Sequence, residues 1–171
     1  MPMSLRAVSA WKFLLVMTTV FVVALTSLPF ANIAAPADAS GGYQFKRSER
    51  CLMRRVNTIR QRHGLRRFER DKQLAYVARQ HAVTMASNGG LYHDPNVNWK
   101  VTRWKRLGQN TGRGRTCKSL VRAFMRSSSH RAHILGQYRF MGFGTQKRGG
   151  RVYVQQLFES RLNPGNVYHY P

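Results

Sequence analysis

Acidic residues are what this chain lacks: Asp and Glu number 6 in 171 residues, against 29 Lys and Arg, for a formal charge of +23. So few carboxylates exclude most calcium sites, which gather several acidic oxygens, and leave few candidates for catalysis by a carboxylate pair. An enzyme built on this chain would have to work mainly through its 6 His. Cysteine is scarce too. Cys51 and Cys117 alone exclude a disulfide-dense miniprotein and a zinc site made only of cysteine. The uncharged run from Phe13 to Leu28, without Gly or Pro, is sixteen residues long, short of the ~20 of a comfortable membrane span. No internal repeat or low-complexity tract occurs. What is present suffices for one packed domain: 43% hydrophobic residues in a chain of ordinary domain length.

Arg6 and Lys12 precede the apolar run, and Ala31, Ala34, Ala35, Ala37 and Ala39 follow it. Basic start, apolar middle and small-residue end are the three parts of a secretory signal. Cleavage is expected after Ala37-Asp38-Ala39, before Ser40, with Ala35-Pro36-Ala37 the next best place; an uncleaved anchor is the alternative. The chain then divides into a signal peptide over 1–39, a Gly-containing linker over 40–48, a folded domain over 49–162 and a tail over 163–171. Beyond residue 39, 27 basic and 5 acidic side chains remain, a net charge of +22. Of the 29 basic residues 22 are Arg, whose planar fork suits phosphate and carboxylate better than Lys does. Outside a cell the available polyanions are wall polymers, anionic lipid headgroups, acidic glycans and released nucleic acid. An even cysteine count in an exported chain predicts a Cys51–Cys117 disulfide, closing a 66-residue loop. The alternative, a reactive Cys with a partner His, is weaker because no His stands close to Cys51 in sequence.

Leu52, Val56 and Ile59 predict one face of a helix over 48–63, ended by Gly64. Asp71 can cap a second helix whose face is Leu74, Val77, Ala78, His81, Ala82 and Met85, and Asn88-Gly89-Gly90 stops it. Residues 91–117 read as irregular, with a short strand around Leu107. Ser119 opens a third helix carrying Leu120, Val121, Phe124 and Met125. The period then changes to two: Met141, Phe143 and Thr145 alternate with Gly142 and Gly144, Gly149-Gly150 turns the chain, and Val152, Val154 and Phe158 return. Helices followed by an antiparallel hairpin favour an α+β fold.

Several segments, in order, then resemble the CAP superfamily of cysteine-rich secretory, antigen 5 and pathogenesis-related proteins, in its bacterial form. They are Val56–Arg60 with His63-Gly64-Leu65; Leu74–Ala82; Leu91-Tyr92-His93; Leu107-Gly108-Gln109-Asn110; Phe124–Leu135; and Gly142-Phe143-Gly144 with Tyr153-Val154-Gln155. The resemblance spans roughly 50–160 and implies a three-layer α-β-α sandwich with an antiparallel central sheet, an extracellular role, and a cleft of two His and two acids. Some members hold zinc or another divalent ion there; others bind sterols, fatty acids or other lipids; no reaction is common to all. His93 and His130 match the cleft histidines, Gln109 stands where a Glu is usual, and Ser127 stands at the second acid. A carboxylate would fix a His tautomer and supply charge for a metal. Without it, zinc on His93 and His130 is disfavoured, no cofactor is expected, and a metal-activated or two-carboxylate hydrolase is disfavoured too.

Other signals have plainer readings. His81 on an apolar helix face reads as a packed core residue. Ser127-Ser128-Ser129 beside His130 reads as a turn or helix end, because adjacent residues rarely pair as nucleophile and base. Gly112-Arg113-Gly114 has no preceding strong strand and is not read as a phosphate loop. Trp99, Lys100, Arg103, Trp104, Lys105, Arg106, Arg113 and Arg115 interleave aromatics with cations, as in surfaces that stack bases while neutralising phosphates; Trp packing beneath a solvated basic loop is the alternative. The expected function is a cationic, secreted CAP-domain binding module for anionic envelope polymers or lipids. The alternatives are an extracellular nucleic-acid-binding protein and a degenerate His-based hydrolase. No specific protein partner is implied.

Overall fold

A computed structural model describes residues 43–102 and 104–160. The expected signal peptide, the first linker residues and the tail lie outside them. Leu52, Val56 and Ile59 do share a helix face: α1 spans Arg47–Arg62, and Gly64 at φ 67° turns the chain out of it. Residues 43–46, assigned above to the linker, are docked. The Tyr43 hydroxyl donates to Ala75 O at 3.1 Å and Lys46 Nζ to Thr145 O at 3.0 Å.

A two-residue strand β1 (Glu69–Arg70) leads into α2 (Lys72–Asn88). Asp71 caps α2 by accepting from Leu74 N at 2.9 Å, and Gly89 ends it at φ 71°, a left-handed conformation that glycine adopts without cost. A single turn, α3 (Val97–Lys100), is followed by strand β2 (Arg106–Gly114). Then come α4 (Cys117–Arg126), α5 (Ser128–Leu135) and the hairpin β3 (Phe140–Arg148) and β4 (Arg151–Ser160). Gly149 and Gly150 both take positive φ, as the tight hairpin turn requires.

The sheet order is β1-β3-β4-β2, antiparallel except for the two-residue parallel pairing of β1 with β3. Helix α2 covers one face. Cβ atoms on Gly142 and Gly144 of β3 would come within 2.1 Å of Ala75 N and 1.9 Å of Arg79 N, so α2 lies with its backbone directly on the strand. Helices α1, α4 and α5 cover the other face, where Leu52, Val56, Phe124, Ile134, Phe143, Val154 and Phe158 form the larger core. Leu74, Ala78, Val97, Phe140 and Leu157 form the smaller one under α2. This is the expected three-layer α+β sandwich.

One prediction needs correction. Residues 106–114 are not irregular around a short strand but form a nine-residue strand, paired with β4 along its whole length. Its Gly, Arg, Gln and Asn have low strand propensity, and the pairing overrides it. Its glycines are required by neighbours: a Cβ on Gly112 would meet Phe124 at 2.7 Å, and one on Gly114 would meet Leu120 at 2.8 Å. Cys51 and Cys117 are bonded, tying α1 to the first residue of α4 with Cα atoms 6.3 Å apart. Among the described residues no helix is long and apolar enough to cross a membrane.

Candidate functional site

Gln109 projects from β2 to the α2 side of the sheet and fixes the loop that carries His93. Its Oε1 accepts from Asp94 N at 3.1 Å and from Gln155 Nε2 at 2.9 Å, while its Nε2 donates to Asp94 O at 3.2 Å. An amide can grip both main-chain groups of one residue because it carries an acceptor and a donor. A carboxylate here could keep the first bond but would face the Asp94 carbonyl with no proton to offer. Gln109 is therefore a positioning residue.

The Asp94 carboxylate is engaged by its own loop. Its Oδ1 accepts from Asn96 N at 3.0 Å and its Oδ2 pairs with Lys100 Nζ at 2.7 Å. His93 itself is exposed. His130 sits on α5, half-buried, its ring 5.1 Å edge-on from Phe124. Ser127 stands at the break between α4 and α5, and its hydroxyl lies 3.1 Å from that of Ser129. The helix-end reading of the three serines fits this geometry.

A third histidine belongs to the cluster and was not singled out from the sequence. His133 Nδ1 lies 2.7 Å from Asn110 Oδ1. The Asn110 amide is oriented by its Nδ2, which donates to His130 O at 3.1 Å and to Gln156 Oε1 at 3.0 Å. His133 must then carry its proton on Nδ1 and leave Nε2 as an acceptor. Only the phase of His130 and His133 on one short helix, three residues apart, could have signalled the pairing.

Burial, and then the charge of His93, lower the pKa of His130; burial, then His130 and His93, lower that of His133. Folded-state pKa values below the ordinary 6.5 mean that the unfolded chain takes up protons first as pH falls. Stability is expected to be at its plateau above pH 6.5 and to decline as pH falls below it, through the lowered folded-state values. Thermal unfolding midpoints across pH 5–8, for wild type and His133→Asn, test this. The variant should show the shallower decline.

The other polar side chains around the histidines are engaged. Both amide atoms of Gln109 are committed, the Asp94 carboxylate is held by Lys100, and Ser127 bonds Ser129, which leaves the imidazoles of His93, His130 and His133. Among the described residues no three His, Cys, Asp or Glu side chains come together as metal ligands.

The basic segment is partly satisfied from within. Lys100 is held by Asp94, Arg106 donates to Gln137 O and lies over the Tyr138 ring, and Arg113 donates to the Tyr153 hydroxyl at 3.0 Å. Trp104 donates from Nε1 to Asn98 O at 3.1 Å, whereas Trp99 is 82% exposed. Lys105 and Arg115 are exposed, and Arg103 lies outside the described residues.

A concavity lies elsewhere, between α1 and α4. It measures about 460 Å³, with Arg54, Arg55, Arg62, Lys118 and Arg122 around a floor of Ile59, Val121 and Met125. No carboxylate lines it. Its sequence signal was the outward face of α1, where Arg54, Thr58 and Arg62 recur every four residues and the single acid, Glu49, is buried.

A family model described as CAP, cysteine-rich secretory protein family, matches residues 53–158. No curated protein matches the chain significantly. Among solved structures, an outer surface protein from Borrelia burgdorferi superposes with a TM-score of 0.63 at 18% identity, covering 69% of this chain and 96% of that one. An extracellular protein containing an SCP domain, from Bacillus anthracis, gives 0.61 at 22% identity, covering 67% of this chain and 40% of that one. Venom allergen-like protein 4 of Schistosoma mansoni gives 0.58 at 14% identity, covering 68% and 90%. At these identities the likeness is one of fold.

Proposed function

The chain belongs to the CAP, or cysteine-rich secretory protein, family, and on that premise we propose that it is a secreted, strongly cationic binding module for anionic polymers or lipids of the cell envelope, not a hydrolase. The observation that carries this reading is the groove between α1 and α4: a rim of five cations, an apolar floor and no carboxylate. An acidic group would meet the rim while an alkyl segment covers Ile59, Val121 and Met125. The histidine cleft supports the reading from the other side, since its amides hold rings and loops in place without supplying a carboxylate to activate them. Export is supported by the sequence pattern of residues 1–39 and by the descriptions of two structural relatives as outer-surface and extracellular.

Sedimentation with phosphatidylglycerol vesicles, against phosphatidylcholine vesicles, tests the proposal. Binding is expected to the first only and to weaken as salt shortens the range of the charges. Arg55→Gln with Arg122→Gln should weaken it at least tenfold, and equal binding to neutral vesicles would overturn it. His93→Ala with His130→Ala should leave binding unchanged. One observation favours a second reading: Trp99 is almost fully exposed beside a basic segment. A single-stranded oligonucleotide that quenches tryptophan fluorescence, and no longer does so in Trp99→Ala, would support nucleic-acid binding.

A further inference from the structure

We propose that a second pocket, separate from the histidine cleft and from the floor of the α1–α4 groove, binds the terminal phosphate of a phosphomonoester. The inference rests on reading the protein as an anion-binding module and gives that module a defined point of attachment. The pocket holds about 210 Å³, bounded by Arg50 and Arg54 of α1, by Arg67 of the turn into β1 and by Arg70 of β1 itself, over a floor of Met53, Asn57 and Met141. Both methionines are fully buried, so the cavity ends blindly on the core instead of opening as a channel. A drug-sized ligand needs more room, and the space suits one anionic group with the rest of its molecule outside.

The arginines are presented by rigid main chain. Arg50 and Arg54 are four residues apart, hence neighbours on one helix face, and Arg50 donates to Phe45 O, which orients it. Across the pocket, Asn57 grips Phe68 by both main-chain groups, accepting from its N at 2.8 Å and donating to its O at 3.0 Å. Glu69 N and Asp71 N donate to Arg139 O and Met141 O at 2.9 Å each. The main chain that carries Arg67 and Arg70 is thus held opposite α1 before any ligand arrives, which reduces part of the ordering cost of binding.

Charge selects the ligand class. The nearest acids in sequence are engaged: Glu69 pairs with Arg66 and Arg139, and Asp71 caps α2. Four arginines then line one pocket with no carboxylate among the lining residues. A carboxylate brings one charge and two oxygens. A phosphomonoester brings about −1.5 to −2 at neutral pH and three free oxygens, and guanidinium forks match it in bidentate fashion.

Calorimetric titration of the protein with glycerol 3-phosphate at low salt tests the site. One site per chain is expected. Arg67→Gln with Arg70→Gln should weaken binding at least tenfold, while Lys118→Gln with Arg122→Gln, an equal loss of charge in the other cavity, should weaken it less than threefold. Arg67→Gln alone should cost at least fivefold, and its side chain makes no hydrogen bond or ion pair among the described residues, so folding is spared. Equal weakening by the two double variants would overturn the pocket, as would dimethyl phosphate binding as tightly as the monoester. If glycerol 3-phosphate fails to bind while phosphatidylglycerol vesicles are still captured, this pocket is wrong and the module stands. If both fail, the underlying reading falls with it.

Discussion

Glu49→Ala is expected to destabilise the protein by about 3–5 kcal/mol, the usual consequence of breaking a buried ion pair from one side. Glu49 is fully buried and meets Arg79 through two bonds, Nε at 2.9 Å and Nη2 at 2.5 Å. It also accepts from Lys46 N at 2.8 Å, Thr145 N at 3.2 Å and the Tyr43 hydroxyl at 3.2 Å. One carboxylate therefore joins the segment before α1, the helix α2 and the strand β3. Alanine would leave a largely buried guanidinium and two main-chain N–H groups without their acceptor. Glu49→Gln should cost less, because it keeps an acceptor oxygen but faces Arg79 with an uncharged amide. The contrast is Glu69→Ala: that carboxylate is 43% exposed, and removing its two ion pairs should cost under about 1 kcal/mol. Urea unfolding of the three variants measures the order. Equal effects of Glu49→Ala and Glu69→Ala would show that the buried pair is not the structural hub described.

Reducing the Cys51–Cys117 bond should be nearly as damaging. Closing a 66-residue loop restricts the unfolded chain by roughly 4 kcal/mol in the entropy model, which for a domain of this size lowers the melting temperature by about 15 °C. The bond joins the two helices that form the cationic groove, so vesicle capture should also weaken in reducing buffer below the unfolding temperature. Scanning calorimetry with and without a phosphine reductant gives the first number and sedimentation the second. An unchanged melting temperature would mean that packing of Leu120, Val121 and Phe124 against α1 already holds the helices without the bond.

Much of this architecture was legible in the residues. The face of Leu52, Val56 and Ile59, the Asp71 cap, the Gly149-Gly150 turn and the cysteine pair each act through local chemistry, and each stands where the sequence placed it. Strand β2 was not legible, because it is specified from outside. Arg106–Gly114 gains its burial from β4 on one side and from Phe124 and Leu120 above, while its own composition points away from a strand. The site divides the same way. His93, Gln109 and His130 could be placed by their motifs, but the role of Gln109 depends on Asp94 facing it across fifteen residues of chain. The pocket of Arg50, Arg54, Arg67 and Arg70 was hidden for a related reason. Its two halves meet only because Asn57 pins Phe68, and no periodicity announces a contact between a helix and the loop that leaves it.

Gly142 and Gly144 have a consequence for how finely α2 can be positioned. Two strand residues advance about 6.6 Å and four helical residues about 6 Å, so successive turns at Ala75 and Arg79 drop into successive gaps on β3 like teeth on a rack. A rack permits no small slips. The helix is seated or it is a whole tooth out of place, and any side chain larger than hydrogen at either glycine lifts it off altogether. The loop bearing His93 begins where α2 ends, so the placement of that imidazole is indexed to the sheet in discrete steps, through main-chain atoms that no change of rotamer can adjust.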